Sequence, residues 1–218
     1  DYNWRLTADM GGASRTIADI GSHWFDTVQC AMGQKITAVR AEILTVHPFR
    51  KKPAREVETF TRTGGDDYEL VPINSEDAAF VTVRFADGTL GTVNLSQVSG
   101  GHLNDFRVEI AGEHCSLEWQ QERCDTLIVG TRESGIQILR TAPGAMTGAA
   151  NRYIRLPGGH PDGWADALRN AITEFYTSID NGTYAQTGMT YATFADGVRI
   201  MKIVDACMRS AKTGQWVE

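Results

Sequence analysis

The chain has 218 residues, a formal net charge of −6 and a 42% share of hydrophobic residues, the make-up of an ordinary globular protein. The acidic balance argues against a nucleic-acid backbone or an anionic membrane as partner, and no apolar run approaches the roughly 18 residues of a membrane-crossing helix. Four scattered cysteines without a CxxC, and five histidines without an HxH or HExxH, exclude the common zinc and thioredoxin-like patterns.

The expected setting is therefore reducing and cytoplasmic, with no structural metal. The first residues do not have the form of a signal peptide. The sequence starts at Asp1 rather than at an initiator Met, and it is expected to be part of something longer.

Asp1 to Ser14 is polar and irregular, with a turn at Gly11-Gly12. Thr16 to Met32 has helical periodicity. At 100° per residue, Ile17, Ile20, Trp24, Val28 and Ala31 form an apolar stripe, and Asp19, His23, Asp26 and Cys30 form a second stripe opposite it. Thr16 with Asp19 has the form of a capping box, and Gly33 is the expected C-cap. Period two takes over from Ile36 to Val46. Lys51 to Asp77 is polar; Arg50, Lys51, Lys52 and Arg55 suggest a solvated loop, with one edge strand near Val57 to Arg62 and a turn at Gly64 to Asp67.

Phe80 to Leu95 has the pattern of a hairpin turning on Asp87-Gly88, a dipeptide suited to a type I′ turn. Strands are expected at Phe106 to Ala111, His114 to Gln120, Thr126 to Val129 and Ile136 to Arg140, joined by turns at Gly112-Glu113 and Ser134-Gly135. Connections this short pair strands antiparallel. Ala142 to Ala150 is loop-like, and Tyr153 to Leu156 is a short strand candidate. A helix from Pro161-Asp162 carries Trp164, Leu168, Ala171, Ile172, Phe175 and Ile179 on one face and stops at Asn181-Gly182. The last helix, about Thr193 to Lys212, has a stripe of Phe194, Val198, Met201, Val204 and Met208. One helix, a run of antiparallel strands and two further helices make an α+β fold over residues 1–218: a large open, mostly antiparallel sheet with helices packed on one face, the other face being solvated or paired with a partner.

The chemistry centres on the first helix. Asp19 and His23 stand one turn apart, where side chains meet. Imidazole titrates near neutral pH, and a neighbouring carboxylate orients it and favours its charged form, so the pair suits proton transfer. The bland alternative is that Asp19 only caps the helix. Gly21, inside the helix, implies close approach by a neighbouring chain or by a ligand. Gly158 to Trp164 is a turn leading into a helix, with free N–H groups for a ligand or a plain cap from Asp162. Trp4 and Arg5 are a possible ligand clamp or a surface pair, and Arg107, Glu109, Glu118 and Glu122 suggest a wet sheet face. No G-x-G-x-x-G follows a strand, and no G-x-S-x-G, P-loop or kinase signature occurs.

Four stretches in order resemble one family. GGASRTIADIGSHWFDTV is similar to the DxGxHxxD motif that opens the C-terminal domain of the Gfo/Idh/MocA oxidoreductases, the glucose–fructose oxidoreductase and inositol dehydrogenase family. Phe85 to Gly91 resembles its F-x-x-G-x-x-G, and Glu109 to Trp119 its E-I-x-G-x-x-x-S-L-x-W; LPGGHPDGWADALRNAITEFY and TFADGVRIMKIVDACMRSAKTGQWV resemble its two closing helices. The resemblance implies an N-terminal Rossmann domain binding NAD or NADP, absent from these residues, and a C-terminal domain that holds substrate and mediates oligomerisation. It maps the catalytic Asp and His onto Asp19 and His23; the family lysine of a Glu-Lys-Pro run has no counterpart here.

What it implies for function is oxidation of a secondary alcohol of a sugar, polyol or inositol. His23 takes the hydroxyl proton, Asp19 orients or relays, and Trp4, Arg5 and His160 are candidates to line the substrate. The implied partners are the chain's own Rossmann domain and further copies, as a homodimer or homotetramer through the sheet, with no nucleic acid and no membrane. The alternative is a stand-alone, non-catalytic module that binds sugars or dimerises.

Overall fold

The computed structural model describes residues 2–54, 68–184, 186 and 190–218. The expected strand at 57–62 and turn at 64–67 lie outside them. In chain order the elements are a 3-10 turn Trp4–Leu6, α1 Ala8–Gly11, a π-helical turn Ile17–Gly21 leading into α2 Ser22–Met32, β1 Ile36–Leu44, β2 Phe49–Pro53, β3 Tyr68–Pro72, β4 Ala78–Phe85, β5 Leu90–Ser96, β6 Arg107–Ala111, β7 Ser116–Gln120, a 3-10 turn Gln121–Arg123, β8 Thr126–Thr131, β9 Gly135–Arg140, α3 Gly148–Asn151, α4 Trp164–Asp180 and α5 Phe194–Thr213. Helices and antiparallel strands together make the α+β class. Among the described residues the hydrogen-bonded strands group as β1-β4-β5, β2-β3 and β6-β7-β8-β9. The chain divides into two compact units, residues 1–100 with 194–218, and residues 101–193.

The first unit is built on β4, the middle strand of its sheet. Ala79, Val81, Val83 and Phe85 alternate inward while Phe80 and Arg84 point out, the pleat of a sheet buried on one face. The β4–β5 loop has three residues, not two: Phe85 N–H donates to Thr89 O at 2.8 Å, and Gly88 sits at φ 89°. That is the three-residue hairpin with a left-handed glycine, so the expected type I′ turn is replaced.

α5 covers the inner face with Ile200, Ile203, Val204, Ala206 and Cys207. Of the expected stripe of Phe194, Val198, Met201, Val204 and Met208, Val204 is buried and Met208 half-buried, while Phe194, Val198 and Met201 stay outside, with Phe194 98% exposed. The helix turns its small residues inward because they let it lie close on β1: Ala41 N–H donates to Ser210 Oγ at 3.0 Å. Val39 and Val217 exchange backbone bonds of 2.9 Å, which closes part of the β1 edge. Arg50 to Lys52 lie in β2, not in a loop, with the Lys51 ammonium 4.3 Å from the centre of the Tyr68 ring.

The second unit is a four-strand antiparallel meander followed by α4. In its register Glu109 lies opposite Glu118 and Arg107 opposite Gln120. The expected strand at Tyr153 to Leu156 is not formed. Tyr153 and Ile154 donate instead to Ala150 O and Asn151 O, extending the short helix α3 as turns. α4 begins at Trp164, and its cap is Asp166, whose Oδ2 accepts from Gly163 N–H at 2.8 Å, rather than Asp162. Gly182, at φ 67°, ends the helix. Leu168, Ile172, Phe175 and Ile179 do share a face, and that face is exposed. No helix among the described residues is long and apolar enough to cross a membrane.

Candidate active site

The helix that carries Asp19 and His23 is anchored at its start by a buried acid. Glu76 is fully buried, and its Oε1 accepts from Ser14 Oγ at 2.7 Å, Arg15 N at 2.9 Å and Ile17 N at 3.0 Å. Ser14 Oγ in turn accepts from Ala18 N at 3.1 Å. These bonds satisfy N–H groups that a helix start leaves without partners, and they place a carboxylate at the positive end of the helix dipole. The Thr16–Asp19 capping box is therefore not formed: Thr16 Oγ1 donates to Glu76 O at 2.8 Å.

The next residue, Asp77, is equally buried and receives both Arg15 and Arg50 on Oδ1, with His47 N–H on Oδ2 at 2.8 Å. Burial pushes its pKa up, but the His47 N–H and the two guanidiniums outweigh that and hold it below the ordinary carboxylate value.

Downstream of this anchor the backbone makes one π turn, with Ser22 N–H donating to Ile17 O. A π turn takes one residue more than an α turn. The buried line is accordingly Ile17, Gly21, Phe25, Val28 and Gln29, whereas Ile20 and Trp24 are half-buried and Ala31 is exposed. Uniform 100° spacing across residues 17–21 misplaces the stripe by one residue. Gly21 is buried because Leu95 packs on it: a Cβ there would lie 2.8 Å from Leu95 Cδ1. The close neighbour is a side chain of the sheet, not space kept for a ligand. The helix ends at Gly33, φ 62°, as expected.

Asp19 and His23 are both exposed. Asp19 Oδ2 accepts from Gln97 Nε2 at 2.6 Å, and the His23 ring makes no hydrogen bond to any described residue. The bland reading of Asp19 as a cap is thus set aside. Its carboxylate faces a side chain at the end of β5, and the imidazole is open to whatever meets this face. Trp4 and Arg5 stack on each other, the guanidinium 4.6 Å from the ring centre, with Arg5 N–H held by Asn3 Oδ1 at 3.0 Å. His160 lies in the other unit, in a turn where its N–H donates to Pro157 O at 3.0 Å. Among the described residues no group of three His, Cys, Asp or Glu is placed to hold a metal. Glu76, Asp77 and Gln97 were not expected from the sequence; the signal available was an acidic pair directly abutting the apolar strand Ala78–Phe85.

Residues 1–218 match the model of an oxidoreductase family's C-terminal alpha/beta domain, that of the Gfo/Idh/MocA proteins. The chain belongs to this family. Levoglucosan dehydrogenase of Pseudarthrobacter phenanthrenivorans is 26% identical over 221 residues, which take in 99% of this chain and 54% of that protein. An oxidoreductase from Sinorhizobium meliloti superposes with a TM-score of 0.73 at 27% identity, covering 93% of this chain and 52% of that one. An inositol dehydrogenase homolog from Azotobacter vinelandii, crystallised with NAD+, shares the fold at a TM-score of 0.78 and 22% identity, covering 99% and 51%. The chain spans about half the length of these relatives.

Proposed function

We propose that this chain is the substrate-binding and catalytic C-terminal half of an NAD(P)-dependent oxidoreductase that acts on a secondary alcohol of a sugar, polyol or inositol. The observation that carries the reading is an exposed histidine one turn from an exposed carboxylate, at the DxGxHxxD positions of a chain that matches the family along its whole length. The levoglucosan dehydrogenase relative supports the substrate class.

Every named strand pair here is antiparallel, so the described residues hold no βαβ nucleotide cradle; the dinucleotide belongs to a Rossmann half. When bound, the nicotinamide supplies the acceptor for the hydride leaving the carbinol carbon. What this chain supplies is the proton's path. The open His23 imidazole takes the hydroxyl proton, with the Asp19 carboxylate one turn before it on the same helix. Trp4 and Arg5 offer an aromatic face and a donor fork to a hydroxyl-rich ligand. The same reading takes the protein to assemble as a dimer or tetramer through its sheet.

In the full-length enzyme, His23→Ala is expected to lower kcat by about 10²–10⁴-fold, the usual contribution of a positioned general base. The residue is exposed, so the thermal midpoint stays near wild type. Steady-state kinetics on a polyol panel with NAD and NADP checks this, and wild-type turnover in the variant overturns it.

A further inference from the structure

We infer that Gln97 is a positioning residue for the Asp19 carboxylate, an inference that rests on the proton-transfer reading above and deepens it. Asp19 is exposed on its helix, and an exposed carboxylate samples several rotamers. Here one rotamer is selected by the bond from Gln97 Nε2 to Asp19 Oδ2 at 2.6 Å.

The orientation of the amide follows from chemistry. A carboxylate offers acceptors only, so the NH2 end of Gln97 must face it. The other end, Oε1, lies 3.3 Å from Thr16 Oγ1. A hydroxyl carries one proton, and the Thr16 proton is engaged by Glu76 O at 2.8 Å. The Thr16 contact is the longer and weaker of the two, so the carboxylate decides which way the amide faces.

Gln97 is mounted rigidly. It follows β5, whose last residue Ser96 pairs with Ala78 at the start of β4. Its own N–H donates to Asp77 O at 3.0 Å, carrying the ladder one residue further. Asp77 is the fully buried acid clasped by Arg15 and Arg50. Thr16, at the base of the π turn, is tied to Glu76, the residue before it. One buried acidic pair thus fixes both ends of the Gln97–Asp19 bond, the sheet end that donates and the helix that accepts, which is the arrangement that holds a reacting group in place.

The test uses the full-length enzyme and five forms: wild type, His23→Ala, Asp19→Ala, Gln97→Glu, and Asp19→Ala with Gln97→Glu. Gln97→Glu keeps the shape and replaces the donor by an acceptor. It is expected to lower kcat by about 10–100-fold, the scale of a misplaced catalytic group, with KM within about twofold and the thermal midpoint held. In the Asp19→Ala background it is expected to cost nothing further. Wild-type kcat in Gln97→Glu, or the same loss with and without Asp19, overturns the inference. If the new carboxylate itself lowers the midpoint, Gln97→Ala, which removes the donor without adding charge, is put through the same cycle and decides by the same outcomes. Full turnover in His23→Ala and Asp19→Ala would overturn the site and this role together. Their failure beside a fully active Gln97→Glu would overturn the role of Gln97 alone.

Discussion

The two units of the chain handle apolar periodicity in opposite ways. Residues 1–100 with 194–218 bury an inner sheet face, the line from Ile17 to Gln29 and the inward side of α5, with two carboxylates inside. In residues 101–193 Ser178 alone is buried among the described residues, although α4 carries as regular an apolar face as α5. Periodicity states which side chains share a face. Burial needs a second surface shaped to receive them, and α5 finds one because Ala206 and Ser210 let it settle on β1. Polar groups then follow the core. Glu76 is held through Oε1 alone, by Ser14 and the Arg15 and Ile17 N–H groups, with its buried Oε2 left without a partner among the described residues, whereas both oxygens of Asp77 are engaged, by Arg15, Arg50 and the His47 N–H.

The sharpest way to break this contrast is at Asp77. Asp77→Asn strands two guanidiniums on a neutral amide, and about 3–5 kcal/mol of stability is expected to be lost, read by urea denaturation. The matching change in the second unit, Asp105→Ala at the exposed His102–Asp105–Arg107 cluster, is expected to leave the midpoint where it is. The Asp77 term also has a sign in pH. Its pKa is depressed in the folded state, so its contribution is complete above the ordinary carboxylate value near 4 and fades as pH falls through the lower folded value. The stability gap between wild type and Asp77→Asn should be constant at neutral pH and close in acid; a gap that widens in acid would contradict the buried pairing.

A second comparison sets one isoleucine from each helix side by side. Ile203 is 6% exposed and Ile172 is 49% exposed. Ile203→Ala should cost about 2–5 kcal/mol, and Ile172→Ala within about 0.5 kcal/mol. Equal losses would mean that the α4 face is covered in solution. The smallest effect is a labelling rate. Burial pushes the Cys207 thiol up to about 12, while Cys30 is exposed. Alkylation of the native chain at neutral pH should modify Cys30 and leave Cys207 untouched until unfolding.

Much of the local structure was legible in the residues. The β4–β5 hairpin, the four-strand meander, the helix stops at Gly33 and Gly182 and the open Asp19–His23 face all follow from alternation, turn chemistry and helical spacing, which are properties of neighbouring residues. Some errors are local, as in the three-residue β4–β5 turn and the Asp166 cap; others lie where a distant residue decides. Thr16 and Asp19 look like a capping box in isolation, but Glu76, about sixty positions away, takes the helix start. The apolar stripe of the first helix keeps Ile17 and Val28 but passes through Gly21 and Phe25 in place of Ile20 and Trp24, because the π turn at Ile17–Gly21 takes one residue more than uniform helical spacing allows. In α5 only part of the periodic stripe, Val204 among it, faces the core, because spacing does not show which side of a helix a strand will meet.

The sequence by itself determined most of the helices and strands and set Asp19 and His23 one turn apart on an open helix face, since those depend on spacing over a few residues. Only the tertiary structure decided that Glu76 caps the helix, that Asp77 clasps two arginines and that Gln97 meets Asp19. Each of those contacts joins groups far apart in the chain, and none is favourable until the core has formed around it.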